Sequence, residues 1–162
     1  GGTGREGGVV TVDLMADLPV LLPKATQWAE EQSLVIAKGG LALDKTLLDV
    51  GRRVGVQRPE LIRVSLVQSI PLPDDPALQA ASAAAGFLSE RFNGLTLGHG
   101  IYIREERATV RLLSHEFRHV FQYEQAGSIA GFLSEYLRQI FTIGYDQAPL
   151  EIDARAHEID NL

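Results

Sequence analysis

Apolar positions along the chain alternate between helical and extended spacing. From residue 23 onward, Ala25, Trp28, Ala29, Leu34, Val35 and Ala37 form a broken apolar face that stops at Gly39-Gly40, so a helix is predicted over 23–38. Residues 9–14 ahead of it read as a short strand or extended entry. Asp44 is a candidate N-cap for a second helix over 44–54, with Leu47, Leu48, Val50 and Val54 turned inward. Residues 61–67 are β-rich with partial alternation, which suits a strand, and Pro71-Leu72-Pro73-Asp74-Asp75-Pro76 is the clearest loop. That loop ends in helix-start chemistry for an alanine-rich helix over 77–88.

In the second half, Leu112, Leu113, Val120, Phe121 and Tyr123 provide the faces of a helix with a polar entry at 104–107 and a stop at Gly127. Ile129, Phe132, Leu133, Tyr136, Leu137, Ile140 and Phe141 recur at three- and four-residue steps, predicting a helix over 128–142 closed by Gly144. A loop over 145–148 follows, and Pro149 suits the first turn of a last helix over 149–160.

The helix ending at Gly127 carries His115-Glu116-Phe117-Arg118-His119, an H-E-x-x-H motif. Residues i and i+4 share one helix face, so both imidazoles can point at one ion, and the glutamate beside them can serve as general base. A catalytic zinc ion usually takes three protein ligands and leaves its fourth position to water. With no cysteine in the chain, the third ligand has to be His, Asp or Glu. Glu151 stands in the first turn of the last predicted helix, in Pro149-Leu150-Glu151-Ile152-Asp153-Ala154.

These residues resemble the gluzincin group of zinc metallopeptidases, in which H-E-x-x-H is followed one or two helices later by a ligand glutamate in a pattern such as E-x-x-A-D. The resemblance implies zinc held by His115, His119 and Glu151, with Glu116 as base, in a zincin-like α+β domain. Residues 95–103 look like the edge strand that precedes the zinc helix in that group, and the resemblance gives Ile101-Tyr102-Ile103 a role in pairing with an extended peptide. The stretch 95–158 further resembles compact bacterial H-E-x-x-H domains that continue the motif as H-x-x-Q, as His119-Val120-Phe121-Gln122 does. The resemblance covers about the last 65 residues and hardly touches the first 58.

One position departs from the pattern. Arg155 stands where gluzincins often carry an aspartate that orients a zinc histidine. Glu158, nearly two turns beyond Glu151, is a substitute acceptor, as is a backbone carbonyl, whereas Asp153 points elsewhere on a regular helix. Tyr145, His157, Arg155 and Tyr123 are candidates to steady an oxyanion, and Tyr145 is preferred because its loop adjoins the third ligand. His99, between Gly98 and Gly100, reads as a loop residue at a turn or bulge. With little chain after Glu151, any lower wall of the cleft has to come from the helix over 128–142, which predicts a shallow site.

At 162 residues, 45% of them hydrophobic, the chain can bury a core as one domain. Its formal charge of −6 and lack of a Lys/Arg cluster argue against nucleic-acid binding. No apolar run reaches the roughly 18 residues of a membrane span. Residues 1–8 read as a flexible leader or a remnant ahead of a single domain over 9–162, with a helical part at 9–58 and a metallopeptidase-like core at 59–162. The cytoplasm is the favoured compartment, and a signal removed ahead of Gly1 keeps secretion open. Part of the segment 1–22 lying in the cleft would make the protein latent.

Three functions follow. The first is a zinc-dependent metallopeptidase acting on peptides or proteins. The second is a catalytically weak or inert zinc-stabilised binding or assembly domain with a protein partner, part of a larger toxin-associated or secreted protein. The third is a metal-free helical protein with a fortuitous motif.

Overall fold

Asp13 opens the first helix by accepting the Ala16 N–H at 3.1 Å. In the computed structural model, which describes residues 13–87 and 92–162, this helix, α1, runs over Leu14–Gly39 and contains both Pro19 and Pro23. The sequence reading started it at Pro23. The Asp13 cap and the burial of Leu21 (3% exposed) offset the backbone bonds that two prolines remove. The extended entry read over 9–14 gives way at Asp13 and Leu14, and its remainder lies outside the described residues.

Strand β1 (Leu41–Ala42), helix α2 (Lys45–Arg53) and strand β2 (Arg63–Val67) come next, with Asp44 capping α2 through the Leu47 N–H at 2.9 Å. Helix α3 spans Pro76–Ala85. It stops at Gly86, whose φ of +68° is a left-handed conformation that glycine adopts freely, so α3 falls short of the predicted end at residue 88. Residue 88 itself is outside the described residues.

The stretch read as one strand over 95–103 is a hairpin. β3 (Gly94–Leu97) turns through Gly98, at φ +72°, and His99 into β4 (Gly100–Arg104). The described residues form one four-stranded mixed sheet in the order β1-β2-β4-β3, with β2 and β4 parallel and the outer pairs antiparallel. Ile101-Tyr102-Ile103 therefore lies inside the sheet, paired with β2 on one side and β3 on the other, and cannot be an open edge. The edge beside the motif helix is β3.

Alternation along β4 divides the core. Ile101 and Ile103 face a cluster with Val50, Ile62, Leu113, Phe117 and Val120, while Tyr102 faces one with Ala29, Ile36, Phe132, Tyr136 and Ile140. The sheet thus sits between α2 and α4 on one face and α1 and α5 on the other. Helix α4 (Val110–Ala126) is capped by Thr109 and ends at Gly127, and α5 (Ile129–Ile143) is capped by Ser128. Helix α6 covers Pro149–Ala156, shorter than the predicted 149–160. The chain leaves α6 because its tail is drawn to α4, where the Ile159 N–H donates to Ser114 Oγ at 2.8 Å. No helix among the described residues is long and apolar enough to cross a membrane.

Candidate metal centre

Helix α4 places His115 and His119 one turn apart, their ring centroids 5.0 Å from each other, and the first turn of α6 brings Glu151 between them. Glu151 Oε1 lies 3.1 Å from His115 Nε2, and Oε2 lies 3.1 Å from His119 Nε2. All three are buried, Glu151 at 2% exposure, and one donor atom from each falls within 4.8 Å of the others. This is a group able to hold a metal ion.

The partners of the outer ring nitrogens decide whether the inner ones can bind a cation. Glu158 Oε2 lies 2.8 Å from His115 Nδ1, and a carboxylate can only accept, so Nδ1 carries the proton. Gln122 Oε1 lies 2.7 Å from His119 Nδ1. The amide of Gln122 is fixed by its Nε2, which donates to the Leu150 carbonyl at 3.0 Å and to Asp153 Oδ2 at 2.9 Å, leaving Oε1 as acceptor. Without an ion, Glu151 accepts from Nε2 of both rings, and it is these inner protons that a metal would displace. The outer acceptors keep the Nδ1 protons, so the freed lone pairs would be those on Nε2. Two imidazole nitrogens and a carboxylate oxygen, with both rings oriented by outer acceptors, fit the donor set of a three-ligand zinc site.

The charges are coupled. Burial alone would raise Glu151, but hydrogen bonds from His115 and His119, joined by Tyr136, hold its carboxyl far below the usual range. Burial alone would lower His115, yet the Glu151 carboxylate, with Glu116 and Glu158 behind it, raises it to about 9. His119 moves in the same direction for the same reason.

Several outer groups stand differently from the sequence reading. Glu158 does reach His115, from the tail beyond α6 rather than from a continuous helix face, and Arg111 Nε steadies it at 2.8 Å. Asp153 does point away from both imidazoles, but it holds Gln122 in place while accepting from Arg118 Nε at 2.8 Å. Glu158 and Gln122 together fill the place that Arg155 leaves vacant. Tyr136 went unrecognised, counted only as one of the apolar positions of α5. Its hydroxyl donates to Glu151 Oε2 at 2.6 Å. A tyrosine inside an otherwise apolar helix stripe is the signal available for it, because a buried hydroxyl needs a partner.

Glu116 is 5% exposed and borders two spaces. An open groove of about 660 Å³ runs past Gly94, Arg107, His115, Glu116, Tyr145 and Arg155. Behind it, an apolar cavity of about 80 Å³ extends from Glu116, His119 and Glu151 to Trp28, Leu78 and Phe141. The wall expected from α5 alone is in fact shared with α1 and α3, so the space beside the His115, His119 and Glu151 cluster is deeper than the sequence predicts. Of the segment 1–22, the described part belongs to α1, with Leu21 lining this cavity, and residues 1–12 lie outside the described residues.

Tyr145 borders both spaces. Its ring packs 5.2 Å from Phe92 and 6.1 Å from Phe87, and burial, reinforced by the Glu151 charge, raises its hydroxyl well above the usual range. Tyr123 is a poor oxyanion donor because its hydroxyl is given to the Thr96 carbonyl at 3.1 Å. His157 Nδ1 turns to the Asp153 carbonyl at 2.8 Å, and Arg155 Nη2 reaches the Asp146 carbonyl on the groove side. His99 sits in the hairpin turn, 2.9 Å from Glu124, away from the cluster. Compared with models of protein families, with curated proteins and with solved structures, the chain matches none.

Proposed function

We propose that this chain is a zinc-dependent metallopeptidase of gluzincin type, with His115, His119 and Glu151 as metal ligands. The observation that carries the proposal is the convergence of two Nε2 atoms, each ring held by an outer acceptor on Nδ1, and a buried carboxylate, beside a glutamate that is not one of the three. When bound, zinc lowers the pKa of a coordinated water to about 7 and polarises a substrate carbonyl.

The side chains supply the rest. Glu116, at the junction of groove and cavity, accepts a proton from the attacking water and passes it to the leaving amine. Tyr145, whose hydroxyl is held protonated by burial, borders the groove with Glu116 and donates to the oxygen that gains charge. The peptide lies in the groove along β3, the edge strand beside α4, and the apolar cavity receives a hydrophobic side chain next to the scissile bond.

The test is elemental analysis followed by digestion of a peptide library. The expected result is about one zinc per chain, cleavage by the parent protein, and a Glu116→Gln variant that keeps the metal but does not cleave. A chain that cannot be loaded with zinc ends the proposal. A loaded chain that cleaves nothing leaves the zinc-stabilised binding or assembly domain in its place.

A further inference from the structure

Glu116 is surrounded by β3, and that strand does more than cover it. Thr96 Oγ1 lies 2.8 Å from Glu116 Oε1 and 3.2 Å from the Glu116 carbonyl, and Thr96 is 5% exposed. A hydroxyl has one hydrogen to give, and the carboxylate is both the nearer and the charged acceptor. Two residues back on the same strand face, a β-carbon at Gly94 would stand 2.9 Å from Glu116 Oε2 and 3.1 Å from its Cδ and Cγ. Any side chain at position 94 would push the carboxylate away.

We propose that Thr96 and Gly94 form a cradle on the edge strand that fixes the orientation of the Glu116 carboxylate, with Thr96 as its positioning residue. Thr96 anchors Oε1, while Oε2 rests against the bare backbone of Gly94 at the wall of the groove. That division leaves one oxygen tied to the protein and the other free to handle a proton. A glutamate side chain has three rotatable bonds, and a reacting group displaced by about 1 Å can cost on the order of 100-fold in rate. The link between this cradle and turnover rests on the metallopeptidase reading, whereas the cradle itself does not.

Two measurements test the proposal. In the first, zinc-loaded parent and variants digest casein. Thr96→Val keeps the branched shape that suits a strand and is expected to lower kcat by about 10- to 100-fold, with KM and zinc content unchanged. Thr96→Ser, which retains the hydroxyl, is expected to restore kcat, and Gly94→Ala to lower it by displacement rather than release. In the second, Thr96→Val, Glu116→Ala and the double variant are unfolded in urea as full-length chains. A pinned carboxylate makes the cycle non-additive, by about 10-fold in the unfolding equilibrium.

An additive cycle overturns the cradle. So does parent-like kcat in Thr96→Val, or a loss of zinc in parallel with kcat. A parent that does not cleave casein or any library peptide counts against the metallopeptidase reading alone, and the urea cycle still decides the cradle.

Discussion

Tyr136→Phe isolates one hydrogen bond at the candidate metal centre. The ring of Tyr136 stacks on Phe132 at 5.1 Å, and phenylalanine keeps that packing, so the change removes only the hydroxyl that meets Glu151 Oε2 at 2.6 Å. This bond is already made without an ion, so it enters zinc affinity through the orientation it gives the Glu151 carboxylate. Loss of an outer partner of a metal ligand costs about 10- to 100-fold in affinity, and that is the drop expected here. The assay is competition for zinc against a chromophoric chelator near neutral pH, with circular dichroism confirming that the variant is folded. Zinc affinity in Tyr136→Phe within about twofold of the parent would refute the reasoning that this hydroxyl orients the third ligand.

Three further outcomes are expected. Gln122→Met leaves the His119 Nδ1 proton without its 2.7 Å acceptor and should weaken zinc by about 10-fold or more in the same competition assay. Ala81→Leu projects into the apolar cavity, and in a peptide library it should shift cleavage from large toward small apolar side chains by about 10-fold, where an unchanged preference rules the cavity out as a side-chain pocket. Asp75 caps α3 and is held below its usual 3.8 by Lys24, then by the Leu78 and Ala77 N–H groups. Its lowered pKa means that the contribution is present above the unfolded value and lost as pH falls through the folded one. Asp75→Ala should therefore lower the melting temperature near neutral pH and narrow the gap to the parent in acid.

The legible parts of the chain were those written within one element. His115, Glu116 and His119 lie within five consecutive residues, and a single helix fixes their relation, so spacing alone assembled them. Caps were also readable, because Asp44 sits directly before the apolar rhythm of α2. Glu151 became visible only through a resemblance, since no local rule brings the first turn of α6 back to α4. Glu158 was legible as an acceptor for a zinc histidine, Gln122 only as the residue that continues the motif, and Tyr136 not at all. Tyr136 reaches Glu151 from another helix, and a tyrosine in an apolar stripe looks ordinary in sequence. The start of α1 was misplaced because two prolines outweigh a cap in local propensity, whereas burial against α3 and α5 decides in the folded chain.

The apolar cavity has one wall made by Leu21, Ala25, Trp28, Leu78 and Ala81, all from the part of the chain before residue 88, while every proposed ligand lies after residue 110. The two stretches are encoded apart and meet only in the folded protein. Substitutions in α1 and α3 can reshape the cavity while the histidines, the glutamates and their hydrogen bonds stay as they are. Such an arrangement is modular: one segment of the gene can drift in what it accommodates, and the other can stay fixed in what it coordinates.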